Sequence, residues 1–362
     1  MSSIERLKKT FLELIAINEV YPHEEEIIRY VTRRLDAAKI PWQLDQFKNI
    51  IAKRAGEGEP TMISTHLDIP EPAPNVKYFI DGTRISADGT NILGADPKTG
   101  LAVILELLDE IQAENKAYRP IEIVLTRGEE RGLLGAAALD YSLVQSKMGL
   151  VLDEDGPVTQ VVTQAPTFVR IMIDIIGKIV HPREPEKGVN ALQVACEALH
   201  QIPCGYSTKG VTWNIGIFKS GTAVNSVPGR AELIGEMRSY DTQLVLSEAA
   251  RVQQVFEDTA KKYGGQCHFQ STFEFEGYKL ERKHSLFERL EETFKRMHLT
   301  PNYFSTYGGS DANVFNTKGI RCVPLGSGYY HAHEYTESAS LKDMDTIKTF
   351  LKNFFVVEDR VV

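Results

Sequence analysis

Strand-like and helical runs alternate through the first 155 residues, give way near Ala165 and Pro166 to a different order, and return after Gly277. Strands separated by helices build an α/β sheet covered on both faces, so this alternation limits the fold more than any other feature. Helical stripes fall at Ile4, Leu7, Phe11, Leu14 and Ile15, and again at Ile27, Ile28, Val31 and Leu35. Short β-rich runs follow at 49–53, 61–68, 121–126 and 150–153, with a buried helix expected over 98–111 and a small-residue helix over 132–141. From 166 to 276 the order becomes strand, helix, strand, strand, helix, strand, which is the split ferredoxin-like arrangement. A helix at 286–297, a strand at 322–325 and a helix at 341–355 resume the first pattern. The expected class is therefore α/β: a discontinuous three-layer α/β/α domain of residues 1–165 and 277–362, with a ferredoxin-like α+β domain of residues 166–276 inserted into it.

Charge and composition remove several function classes. With 41 Lys+Arg against 49 Asp+Glu the net charge is −8, so no affinity for nucleic acid or an anionic membrane surface is expected. The longest apolar stretch, 101–108, contains Glu106 and falls short of the roughly 18 residues needed to cross a bilayer. The opening Met-Ser-Ser-Ile-Glu-Arg has no apolar signal core. Cys196, Cys204, Cys267 and Cys322 form no C-x-x-C pair, which suits reduced thiols. A cytoplasmic location is the expectation.

Chemistry-bearing residues fall where the expected strands end, the usual place for sites in α/β sheets. In Ser64-Thr65-His66-Leu67-Asp68, residues two apart share a face of an extended chain. Asp68 can then fix one nitrogen of His66 while the other faces a metal, although a plain strand end would read the same. In Gly94-Ala95-Asp96-Pro97, an acid opening a helix is ordinarily a cap, but Pro97 permits a cis bond that would turn the carboxylate toward a pair of cations. In Arg127-Gly128-Glu129-Glu130-Arg131, adjacent acids repel. Either the flanking arginines compensate them, or one acid binds metal while the other handles a proton. Asp153-Glu154-Asp155 and His331-Ala332-His333-Glu334 complete the set, with Asp153 preferred to Asp155 for its place at the strand end.

The order and spacing of these motifs resemble the di-zinc exopeptidase and amidohydrolase family that includes peptidase T, acetylornithine deacetylase and succinyl-diaminopimelate desuccinylase, its peptidase T branch most of all. The resemblance rests on His66-Leu67-Asp68, 88–96, Glu129-Glu130 with Gly132, Leu152-Asp153 and His333-x-x-x-Glu337, and spans nearly the whole chain. It implies a catalytic α/β/α domain carrying two divalent ions, zinc foremost, with cobalt or manganese as alternatives. His66 and Asp153 would hold one ion, Glu130 and His333 the other, and Asp96 would bridge them. Glu129 would be the general base and Asp68 the carboxylate behind His66. His333 is preferred to His331 because it stands four residues before Glu337. The inserted domain would be a lid and dimerisation domain, with His181 stabilising the oxyanion and Asn225, Arg238 and Gly309 contacting a short peptide. An Arg238 salt bridge to Asp241 is the plainer alternative. Hydrolysis of short peptides by a tripeptide aminopeptidase, as a homodimer, is the implied activity, with N-acyl-amino-acid hydrolysis or a non-catalytic metal protein as alternatives. Relatives usually carry a second aspartate where Pro97 stands.

Overall fold

The computed structural model describes residues 1–17, 19–114, 116–206 and 210–357. These form two compact units, each with its own apolar core. The first comprises Met1–Thr163, Lys279–Ser305 and the chain from Ser310 onward; the second comprises Gln164–Tyr278 and Thr306–Gly309. The last short segment, expected with the larger domain, belongs to the smaller unit. Gly309 lies so close to Phe275 that a Cβ would sit 2.2 Å from its ring. Tyr307 offers its carbonyl to Arg238 Nη1 at 2.8 Å.

At the centre of the first unit four parallel strands run in the spatial order Ile121–Thr126, Thr61–His66, Met148–Glu154, Arg321–Gly326. Ile50–Arg54 joins the first of these antiparallel, and Trp42–Leu44 forms an edge beyond it. All six residues of Thr61–His66 and of Ile121–Thr126 are buried, as expected of parallel strands covered on both faces. The helix Ala95–Ala113 is likewise buried along nearly its whole length, in contact with helices Ser3–Ile15 and Leu341–Phe355. Gly100 lets this helix approach the sheet, since a Cβ there would lie 2.9 Å from the Leu152 carbonyl oxygen.

Two details depart from the sequence reading. The small-residue helix expected over 132–141 shrinks to Leu134–Ala138, because Gly132 and Leu133 both adopt positive φ just before it. A second, four-stranded sheet also appears, made of Tyr78–Asp81, Arg84–Ala87, Tyr329–Tyr330 and Ser338–Ser340. Its hairpin turns at Gly82-Thr83, with Gly82 at φ +56°, and a glycine-led pair between two strands is a recognised turn signal.

In the second unit the strands Thr167–Ile176, Thr212–Ser220, Arg230–Ser239 and Gln266–Phe275 form one antiparallel sheet with a short edge at Gly205–Tyr206. The helices Ala191–Gln201 and Thr242–Lys262 complete the βαββαβ order of a ferredoxin-like domain. Asn190 and Asp241 cap them by accepting from Gln193 N and Leu244 N.

Gly100→Ala provides a test of the helix–sheet contact. Helix propensity alone favours alanine by about 0.8–1 kcal/mol. The contact with Leu152 overpacks the core, and such changes cost about 1–3 kcal/mol. A lower denaturation midpoint is expected; an unchanged or higher one would show that the helix can move off the strand.

Candidate metal centre

The site forms at the carboxyl ends of the parallel strands, where backbone turns outward and polar side chains converge. His66 ends the strand Thr61–His66, and Asp153 stands one residue before the end of Met148–Glu154. After Ile121–Thr126 the chain turns at Gly128, φ +62°, into the single 3₁₀ turn Glu129–Arg131. Glycine is needed there for the left-handed conformation and because Tyr21 covers it, with ring carbon Cδ2 2.7 Å from where a Cβ would stand. Asp96 precedes Pro97 with ψ 116°, outside helical geometry, as the residue before proline prefers, and the Asp96–Pro97 bond is cis. His333 sits at φ +65° between Tyr329–Tyr330 and Ser338–Ser340.

These five stretches bring six side chains together. His66 Nε2 is 3.1 Å from Asp96 Oδ1 and 3.4 Å from Asp153 Oδ1. His333 Nε2 is 3.4 Å from Asp96 Oδ2 and 2.9 Å from Glu130 Oε1. Asp96 thus turns one oxygen to each imidazole. Three sets of potential ligand atoms each lie within 4.8 Å of one another: His66, Asp96 and Asp153; Asp96, Glu130 and His333; His66, Glu129 and Glu130. Behind them lies Asp68, wholly buried, whose carbonyl oxygen is 3.1 Å from His66 Nδ1 and whose carboxylate Oδ1 is 3.5 Å from it. Its two carboxylate oxygens accept from Glu129 N at 3.0 Å and Glu130 N at 3.3 Å. His331 is exposed, as His333 is, but lies beside Glu334 and outside these sets.

The electrostatics point to a cation. Burial lifts the Glu129 and Asp153 carboxyls well above the ordinary range; Asp153 adds to the rise at Glu129 and Asp96 to that at Asp153, against the pull of His66. Burial raises Glu130 as well. Burial also works to raise Asp96, but the His333 and His66 imidazoles hold it below the usual range. His333 is raised to about 11 by Asp96 and Glu130. Glu130 Oε1 is buried without a hydrogen bond although an imidazole nitrogen lies 2.9 Å away, a relation that suits two ligands of one ion. A mixed imidazole and carboxylate donor set, short of positive charge, fits divalent zinc and its neighbours.

Arg127 does not compensate the adjacent acids. Its guanidinium turns away, between the rings of Tyr21 and Phe47 at 5.6 and 5.9 Å, and bonds Glu24 Oε2 at 2.5 Å and the carbonyls of Pro22 and Phe47. Glu24 itself is wholly buried. Asp311 is another buried acid that spacing did not bring to notice. It receives the Thr126 hydroxyl on one oxygen, has no hydrogen-bond partner on the other among the described residues, and is pushed up to about 6 by burial.

The remaining expected site residues lie in the second unit. His181 and Asn225 are exposed in its loops, and His181 Nδ1 accepts from Arg183 N at 3.2 Å. Arg238 stacks on Phe168 at 4.8 Å and is gripped by both Glu236 oxygens, at 3.0 and 3.1 Å, and by the Tyr307 carbonyl. Its partner is thus Glu236, not Asp241.

Comparison with known proteins gives the family. Residues 49–165, which carry five of the six clustered side chains, match the model of peptidase family M28, and residues 167–264 match a peptidase dimerisation domain of the M20 type. The protein YqjE of Bacillus subtilis strain 168 is 30% identical over 99% of this chain and 99% of its own. The chain belongs to the peptidase T-like M20 metallopeptidases. A tripeptidase of Staphylococcus aureus superposes with a TM-score of 0.90 at 31% identity, covering 97% of each chain. The aminopeptidase PepT of Bacillus cereus gives 0.84 at 30% identity, again over 97% of each. In this peptidase T-like chain, no helix among the described residues is long and apolar enough to cross a membrane.

The Arg127–Glu24 pair sets up a double-mutant test. Arg127→Met leaves Glu24 buried and unpaired, and breaking a buried pair in this way costs about 3–5 kcal/mol. Glu24→Met combined with Arg127→Met is expected to lose less than Arg127→Met alone. Denaturation midpoints that simply add would show that the two side chains act independently.

Proposed function

We propose that this chain is a two-metal aminopeptidase that removes the N-terminal residue of short peptides, tripeptides foremost. The observation that carries the reading is Glu129. Its carboxylate stands beside His66 and Glu130, is nearly buried, and has no hydrogen-bond or ion-pair partner among the described residues. A carboxylate kept at a metal centre without a structural bond is available to carry a proton.

In this reading His66 and Asp153 hold one divalent ion, Glu130 and His333 hold a second, and Asp96 is shared. Zinc suits these ligands best, with cobalt or manganese able to replace it. When bound, the ions supply Lewis acidity toward the scissile carbonyl and lower the pKa of a water molecule. Glu129 accepts the proton of that water on its carboxylate and returns it to the leaving amine. Asp68 keeps the His66 ring oriented through Nδ1 and holds the Glu129–Glu130 backbone through two N–H bonds, which fixes the base relative to the ligands.

The same reading gives the second unit a part in substrate handling and in homodimer formation, supported by its match to a peptidase dimerisation domain. His181 is assigned to oxyanion stabilisation, and Asn225 and Gly309 to contacts with the peptide. Arg238 is assigned to holding the Tyr307–Gly309 segment through the Tyr307 carbonyl, since Glu236 already occupies its fork. The four free cysteines agree with a cytoplasmic setting.

Substrate class is tested by offering the zinc-, cobalt- and manganese-loaded protein tripeptides beside N-acetyl and N-succinyl amino acids. Release of the first residue of the tripeptides is expected; turnover confined to the acylated compounds would make the enzyme an N-deacylase. The base is tested by Glu129→Gln, which should keep both ions by elemental analysis while kcat falls about 100- to 10,000-fold. Activity at the parental level would remove Glu129 from this role.

A further inference from the structure

Glu337 plays no part in the chemistry above, yet it is wholly enclosed, with 1% of its surface exposed. Its side chain accepts three backbone N–H bonds: Oε2 from Leu93 at 2.7 Å and Gly94 at 2.7 Å, and Oε1 from Asp96 at 3.0 Å. All three donors belong to the stretch that delivers the Asp96 carboxylate. Its own backbone belongs to the turn that delivers His333, closed by Glu337 N donating to Glu334 O at 3.0 Å. One carboxylate therefore joins two loops that are 241 residues apart in sequence and that meet where His333 Nε2 lies 3.4 Å from Asp96 Oδ2.

Several facts separate this from an ordinary loop staple. Its carboxylate is enclosed, and three backbone N–H groups from one stretch converge on its two oxygens. Next to this stretch Lys98 is also buried, with its ammonium on the Ile17 carbonyl at 2.5 Å. The strand that follows, Ser338–Ser340, pairs with Arg84–Ala87, and Ala87 N donates to the Glu337 carbonyl at 2.9 Å, so its main chain is anchored independently of its side chain. The fold of the turn has other support; the spacing between Asp96 and His333 is what the carboxylate adds.

We propose that Glu337 is a positioning residue for the second ion: it sets the separation of Asp96 and His333 and so governs how tightly the site of Asp96, Glu130 and His333 retains its metal. This rests on the two-ion reading above. In Glu337→Gln one acceptor oxygen becomes an amide N–H₂ that faces backbone N–H groups, so the brace loses its charge and part of its hydrogen bonding. Glu337→Asp keeps the charge but is one methylene too short to reach all three donors.

The experiment loads the full-length parent, Glu337→Gln and Glu337→Asp with zinc, counts zinc per chain, and follows its release to a chromogenic chelator. Circular dichroism of the zinc-free proteins reports the fold. The parent is expected to hold two zinc ions. Glu337→Gln is expected to keep one at the parental rate and to lose the other at least ten-fold faster, with kcat recovering in excess zinc and KM unchanged. Glu337→Asp should show the same selective loss in milder form. Release of both ions at parental rates, or equal acceleration of both, overturns the proposal. If Glu337→Gln does not fold, Glu337→Asp decides, and parental behaviour or unfolding in that variant also overturns it. A parent that fails to hold two ions counts against the two-ion centre itself, which keeps the two failures distinct.

Discussion

The constraint on which this molecule turns is the enclosure of several like charges in one place. Asp96, Glu129, Glu130 and Asp153 crowd around two imidazoles at the end of a sheet whose strands are themselves buried. Anions brought out of water and beside one another are costly unless positive charge or hydrogen bonds answer them. The protein supplies those answers unevenly. Acids with a structural duty are well provided for: Asp68 receives the N–H groups of Glu129 and Glu130, Glu337 receives three, and Glu24 has the guanidinium of Arg127. The clustered acids have chiefly each other and the imidazoles. In the proposed function, divalent ions are the positive charge that such a cluster lacks.

The scaffold makes this concentration possible by keeping the acids on rigid supports. Parallel strands put His66, the Glu129–Glu130 turn and Asp153 on neighbouring ends, only a strand spacing apart. The helix behind them, packed against the sheet at Gly100, carries Asp96 at its start. Each turn leaving the sheet is then pinned from outside. Tyr21 and Phe47 enclose the arginine that precedes Gly128, and Glu337 ties the Asp96 stretch to the His333 turn. These contacts tie the loops that carry the clustered side chains to the body of the first unit.

Much of this was legible in the chain. Strand alternation gave the sheet, and the switch of order near Ala165 gave the second unit, because hydrophobic period reports local structure directly. His66 and Asp68 lie together, as the two-residue period of a strand predicts. Contacts between residues distant in sequence were not legible. Nothing in the spacing shows that Arg127 leaves the acids beside it for Glu24, about a hundred positions earlier, or that Asp311 comes to lie under Thr126. The sequence left Arg238 between a peptide carboxylate and a salt bridge to a neighbouring acid such as Asp241; the acid that meets it is Glu236, two residues away on the same face of the strand.

The distribution of hydrogen bonds also orders the acids by role more sharply than their position does. Glu129 and Glu130 are neighbours on one 3₁₀ turn, with the same side chain and similar enclosure. Asp68 holds the backbone of both, yet only Glu130 meets an imidazole from another loop, at 2.9 Å. Glu129, one residue earlier, has no such counterpart among the described residues. The tight turn between two positive-φ glycines, Gly128 and Gly132, lets adjacent residues face different directions. Two chemically identical side chains can therefore meet different surroundings, and the backbone that carries them makes the difference.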